Sequence, residues 1–128
     1  MLRTIDGNPS LPTPHNTRIT CMDEPGPGGA SHHYEIALLQ PGATPPAVYR
    51  DFCGIHFQKG PIGEVGVNGV QQEDLLRIVA DRLQSFQAGP FACTENATAL
   101  QHVEAALAAL SRRTQERLAR GVEGRTAP

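Results

Sequence analysis

The stretch FQAGPFACTENATALQHVEAALAALSRRTQERLARG, Phe86 to Gly121, decides how the chain is read. It holds the end of one amphipathic helix, a Gly89-Pro90 turn, and a second helix whose far end carries Arg112, Arg113, Arg117 and Arg120. Leu100, Val103, Leu107, Leu110 and Thr114 recur at spacings of three and four, the seam of a packed helix. Ala99, Ala105, Ala106, Ala108 and Ala109 flank that seam, and small side chains allow close helix contacts. Thr94 is the expected N-cap, and Gly121 followed by Val122 has the pattern of a Schellman-type stop.

Upstream, residues 71–88 predict the partner helix, with Leu75, Leu76, Val79, Leu83 and Phe86 as its apolar stripe and Glu73 and Asp74 where the helix dipole favours acids. Of the 24 Gly and Pro residues, 19 fall in the first 70 positions, so the first half reads as strands and turns. Thr17–Met22, His33–Leu39, Arg50–Gln58 and Glu64–Val67 are the expected strands, with a long flexible hairpin tip at Pro25–Ser31. On the first strand, Thr17, Ile19 and Cys21 face one way and Arg18, Thr20 and Met22 the other. The expected fold is α+β and a single domain, residues 1–128: an extended arm (1–15), a small N-terminal antiparallel β-sheet (16–68) packed on a C-terminal antiparallel two-helix hairpin (70–121), and a flexible tail (122–128).

Aromatic residues make up 5%, Trp is absent and the mean hydropathy is −0.31, which leaves a lone protomer little large apolar surface to bury. Association between copies is therefore expected. A formal net charge of −2 and the lack of a basic stripe argue against polymeric nucleic acid as a partner. Three cysteines without framework spacing fit a reducing compartment, and neither a leader-like apolar run nor a membrane-spanning stretch is visible, so a soluble cytoplasmic protein is expected.

No triad, phosphate loop or paired-carboxylate site is evident, and catalysis is not indicated. Cys53 and His56 have a metal-like spacing, but three residues apart on a strand they point to opposite faces, so no metal site is expected. His32 and His33 are adjacent, a poor geometry for joint ligation, at a loop edge that suits solvent exposure. Arg113, Arg117 and Arg120, at i, i+4 and i+7, share a helix face and suit a bidentate grip on phosphate, although cations near a helix C-terminus also offset the dipole. Asn96 lies on the seam four residues before Leu100, where it can serve a ligand or merely the backbone donors of the first turn. Phe86 and Phe91 bracket the turn; core packing is their default role, and a platform for a base is the alternative. Asn96 and Arg113 are 17 residues apart on one helix, hence about 25 Å at the helical rise. One small ligand cannot reach both within a chain, so a shared pocket requires an antiparallel neighbour and a symmetric dimer.

At these residues the sequence resembles a known family. Phe86, GPFACTENA from Gly89 to Ala97, RRTQERLARGVEG from Arg112 to Gly124 and, upstream, FQKGPIGEVGVNGV from Phe57 to Val70 are similar to the type-one Thoeris anti-defence proteins of bacteriophages, strongly over the C-terminal half and weakly over the first. The resemblance implies a non-catalytic sponge in the host cell cytoplasm, without a cofactor, that sequesters glycocyclic ADP-ribose immune signals. It implies a homodimer that can assemble into a hexamer, with cyclic di- or trinucleotides bound at a separate site, and a hairpin shared with anti-CBASS sponges. By position, Phe86 would stack on the ligand, Asn96 would hydrogen-bond it, and Arg113 and Arg117 would hold its phosphates. Arg18 and Thr20 are the candidates for the second site. The alternative is a homo-oligomeric adaptor whose hairpin binds a partner protein and whose arginines meet that partner's acidic groups.

Overall fold

The computed structural model describes residues 2–5 and 16–122, and its elements run β1 (Arg3–Ile5), β2 (Thr17–Cys21), β3 (His33–Leu39), β4 (Val48–His56), α1 (Ile62–Val65), α2 (Gln72–Gln87) and α3 (Thr94–Ala119). The chain divides into two compact units, residues 1–59 and 60–128. The first holds the strands and the second the helices, an α+β arrangement as expected.

The sheet is a four-stranded antiparallel meander in the order β1-β2-β3-β4. Its register lines up Ile5 with Ile19, Ile19 with Ile36 and Ile36 with Cys53, an apolar row across all four strands. Cys21 and Tyr34 pair on the same face, and Cys21 is fully buried. The opposite face carries Arg18 opposite Ala37, Thr20 opposite Glu35 and His33 opposite His56, in keeping with the alternation of the sequence. Cys53 and His56 thus lie on opposite faces.

Two strand expectations are corrected. Arg3–Ile5, placed in the arm, is an edge strand, because pairing with β2 satisfies its backbone groups. The remainder of the arm, residues 6–15, and the tail from residue 123 lie outside the described residues. Glu64–Val67, expected as the fourth strand, instead overlaps the single helical turn α1. The Pro61 carbonyl accepts from the N–H groups of Glu64 and Val65, and Gly60 (φ 88°) and Gly66 (φ 78°) close the turn at either end in a conformation that favours glycine.

The β2–β3 connection is tied at its base by Asp23. The Asp23 carboxylate accepts from the backbone N–H of His32 (3.1 Å) and His33 (3.2 Å), while the Asp23 carbonyl accepts from the Ser31 hydroxyl at 3.1 Å. Burial works against the charged form of Asp23. The N–H groups of His33 and His32, with the charges of Lys59 and His32, outweigh it and hold the carboxyl below the usual carboxylate range. His32 is half-buried, not solvent-exposed, and its Nδ1 is buried without a hydrogen-bond partner.

In the helical unit, α2 starts on a capping box: the Gln71 N–H donates to Asp74 Oδ2 at 2.9 Å, and the Gln71 side chain accepts from the Asp74 backbone. α2 and α3 pack together as a hairpin. On α3 the half-buried seam is Leu100, Val103, Leu107, Leu110 and Thr114, as expected. On α2 the inner line is Leu76, Ala80, Leu83 and Gln87, with Ala80 buried at 7% exposure. Val79 and Phe86, expected in the stripe, are exposed. Close approach to an alanine-rich α3 favours the small Ala80 at the contact and turns its larger neighbours outward.

Candidate ligand-binding site

Phe86 sits in the last turn of α2, 38% exposed, with the Arg82 guanidinium 5.4 Å from its ring centroid. The two are four residues apart, so helical spacing brings the cation over one face of the ring. Phe91, beyond Gly89-Pro90, is 74% exposed. Neither ring takes the default core role. Exposed rings at a hairpin tip cost apolar hydration that a stacking ligand or a second chain would recover.

The turn is closed by side chains. The Cys93 N–H donates to Gln87 Oε1 at 2.9 Å, tying the end of α2 to the start of α3. Cys93, and not Thr94, is the N-cap: its Sγ accepts from the Asn96 N–H at 3.4 Å. The Asn96 N–H, one of the orphan donors of the first turn, is thus met by sulfur, and Asn96 stands half-buried at the head of the seam.

At the far end of α3 the arginines differ. Arg113 is exposed. Arg120 Nε pairs with Glu116 Oε1 at 2.8 Å, one helical turn back. Arg117 is 5% exposed, and its Nη2 donates to the Val122 carbonyl at 2.9 Å. The seam explains the difference: Arg117 follows Thr114 by three residues, so it continues the inward line and Arg113 does not. α3 is unbroken over 26 residues, about 39 Å. Phe86 and Asn96 therefore gather at one end of the hairpin, and Arg113 and Arg117 at the other.

Arg18 and Thr20 are half-buried on one face of the sheet, which also carries Glu35 opposite Thr20. Glu35 Oε2 lies 3.7 Å from His33 Nε2, and the His33 and His56 rings stack at 4.1 Å. Among the described residues, no group of three or more His, Cys, Asp or Glu is placed to hold a metal ion, and no helix is long and apolar enough to cross a membrane.

The family described as "Acb2/Tad1, hairpin domain" matches residues 52–115, half of the chain. The chain belongs to the Acb2/Tad1 hairpin family. The Acb2/Tad1 match runs from within β4, across α1 and α2, to the last third of α3. It includes Phe86, Asn96 and Arg113 and stops two residues short of Arg117. The chain is also 47% identical over 87 residues to Thoeris anti-defense 1 of Bacillus phage SBSphiJ7, covering 65% of this chain and 61% of that relative's length.

Arg82 and Cys93 join the Acb2/Tad1 hairpin's candidate residues without having been singled out in the sequence, and Val122, expected only as a helix stop, also accepts from Arg117. Arg82 was findable from its four-residue spacing to Phe86. The burial of Arg117 was findable by stepping the seam three residues beyond Thr114. Nothing in the sequence marked Cys93 above Thr94 as the cap.

Proposed function

We propose that this chain is an anti-Thoeris sponge, which binds glycocyclic ADP-ribose in the host cell cytoplasm and withholds it from the defence effector without cleaving it. The observation that carries this reading is the split of the candidate residues. Exposed Phe86 and half-buried Asn96 lie at one end of an unbroken α3 and the arginines at the other. An antiparallel homodimer places Phe86 and Asn96 of one protomer beside Arg113 and Arg117 of its partner, and two-fold symmetry makes two such pockets. The name of the Bacillus phage relative supports an anti-Thoeris role.

The axis of this dimer crosses α3 midway between Asn96 and Arg113, at residues 104 and 105. On the helix face of Arg113, four, seven and fourteen residues back, stand Ala109, Ala106 and Ala99. Side chains of that size let two helix axes approach to about 8 Å.

The energetics suit capture without turnover. Charge-assisted hydrogen bonds from two arginines to a diphosphate contribute about 1.5–3 kcal/mol each. A base stacked on Phe86 adds about 1–3 kcal/mol. Together these reach about 4–9 kcal/mol, which spans millimolar to submicromolar binding and reaches the tight end when the pocket is formed in advance.

The test is recovery. Glycocyclic ADP-ribose bound by the protein and released by heat should return intact, and Arg113→Ala should weaken binding by about 10- to 150-fold while leaving the dimer in place. A cleaved product would make the protein an enzyme. An absence of binding heat with the native protein would favour the adaptor reading, in which the hairpin serves a partner protein.

A further inference from the structure

We infer that the C-terminal stop of α3 is part of the binding apparatus: Gly121 and the Val122 carbonyl form a latch that aims the Arg117 guanidinium. This rests on the sponge reading and names groups that act on the ligand through another residue.

Three hydrogen bonds build the latch. The Val122 N–H donates to the Arg117 carbonyl at 3.0 Å, and the Gly121 N–H donates to the Leu118 carbonyl at 3.0 Å, the paired bonds of a Schellman motif. Arg117 Nη2 returns a bond to the Val122 carbonyl at 2.9 Å. Val122 therefore grips Arg117 at its backbone and at the tip of its side chain, closing a ring. That ring exists only if residue 121 turns the chain back with positive φ, and Gly121 does so at φ 73°.

The chemistry gives the ring a purpose beyond ending a helix. Arginine has a long, rotamer-rich side chain, and a planar fork binds a phosphate well only when its plane is already set. A bond to one Nη fixes that plane before the ligand arrives. It also keeps a buried guanidinium supplied with an acceptor, as a charge at 5% exposure requires. In the proposed dimer this fork lies at the end of the hairpin that meets the partner's Phe86 end. Arg113, exposed and on the adjacent turn, has no such support among the described residues, so Arg117 is the positioned phosphate ligand and Val122 its positioning residue.

The experiment is a graded series at Gly121 in the full chain: Gly121→Asn, Gly121→Ala and Gly121→Val. Asn enters the left-handed region readily, Ala with strain, and Val least of all. Glycocyclic ADP-ribose affinity is measured by calorimetry well below the unfolding midpoint, and dimer mass by light scattering. The expected order of affinity is Gly, then Asn, then Ala, then Val. Asn should stay within about twofold of native and Val should lose about tenfold, because the apparent affinity falls with the population that holds the competent geometry. Dimer mass should not change across the series. A flat series, with the native protein binding, overturns the latch and leaves the sponge reading intact, since a cap that only stabilises the helix shifts the unfolding temperature and not the affinity. A native protein that does not bind overturns the sponge reading and the latch with it.

Discussion

Mixing two defective variants tests whether the pocket is built by two chains. One variant, Phe86→Ala with Asn96→Ala, lacks the aromatic and amide end; the other, Arg113→Ala, lacks a guanidinium from the phosphate end. On α3, Asn96 and Arg113 are 17 residues apart within one unbroken helix, about 25 Å, so neither variant can repair itself. Losing one charge-assisted bond costs about 1.5–3 kcal/mol, or about 10- to 150-fold in affinity. Each variant alone should therefore show little heat with glycocyclic ADP-ribose near native concentrations. A mixed dimer holds one pocket with every group present and one with both ends defective. Random exchange of equal amounts makes about half the dimers mixed, so about a quarter of the native sites should return with native affinity. Titration calorimetry after subunit exchange reads both the site count and the affinity. If no tight sites return although exchange is verified by mass, the pocket lies within one chain and the head-to-tail dimer is wrong.

Three further outcomes follow from the same contacts. Ala109→Phe, at an exposed position on the proposed dimer face, should leave the isolated helix unaffected and weaken dimer and ligand binding in parallel, since overpacking a close contact costs about 1–3 kcal/mol; sedimentation across a dilution series measures it, and an unchanged dimer would refute that face. Cys93→Ala removes the α3 cap and should lower stability in urea by about 0.5–1 kcal/mol, while Cys93→Ser should hold or raise it, because an oxygen is the better acceptor. The Asp23 carboxyl is held below its ordinary value of about 3.9, so its contribution to stability is complete above that pH and is lost as the pH falls through the lowered folded value; Asp23→Asn should flatten that acid limb in thermal melts.

The helices were legible because their information is local. A seam at spacings of three and four survives in the bare sequence, and Leu100 to Thr114 emerged with the expected facing. The strand errors have the opposite cause. Arg3–Ile5 is a strand only because Ile5 meets Ile19, a partner 14 residues away, and no local pattern records a pairing of that kind. At Glu64 the turn-like KGPIG run pointed to a following strand, but the glycines at 60 and 66 enclose too short a span. Bonds donated by the Glu64 and Val65 N–H groups to the Pro61 carbonyl close it as a helical turn.

The site was legible in its residue types and not in their environments. Hydrophobicity alone placed Val79 and Phe86 with Leu83 in one stripe, whereas packing selects for size, and the small Ala80 took the inner position. That rotation turns Phe86 outward, where a base can stack on the ring face that Arg82 does not cover. Arg113 and Arg117, read together as one anion cluster, divide by a similar rule: the seam carries Arg117 inward and leaves Arg113 outside. A buried guanidinium bonded to a carbonyl and an exposed one a turn away would make unequal ligands for the proposed diphosphate. In the proposed dimer the buried one would supply orientation and the exposed one reach across to the neighbouring chain, so a pocket split between two ends of a long helix would need both.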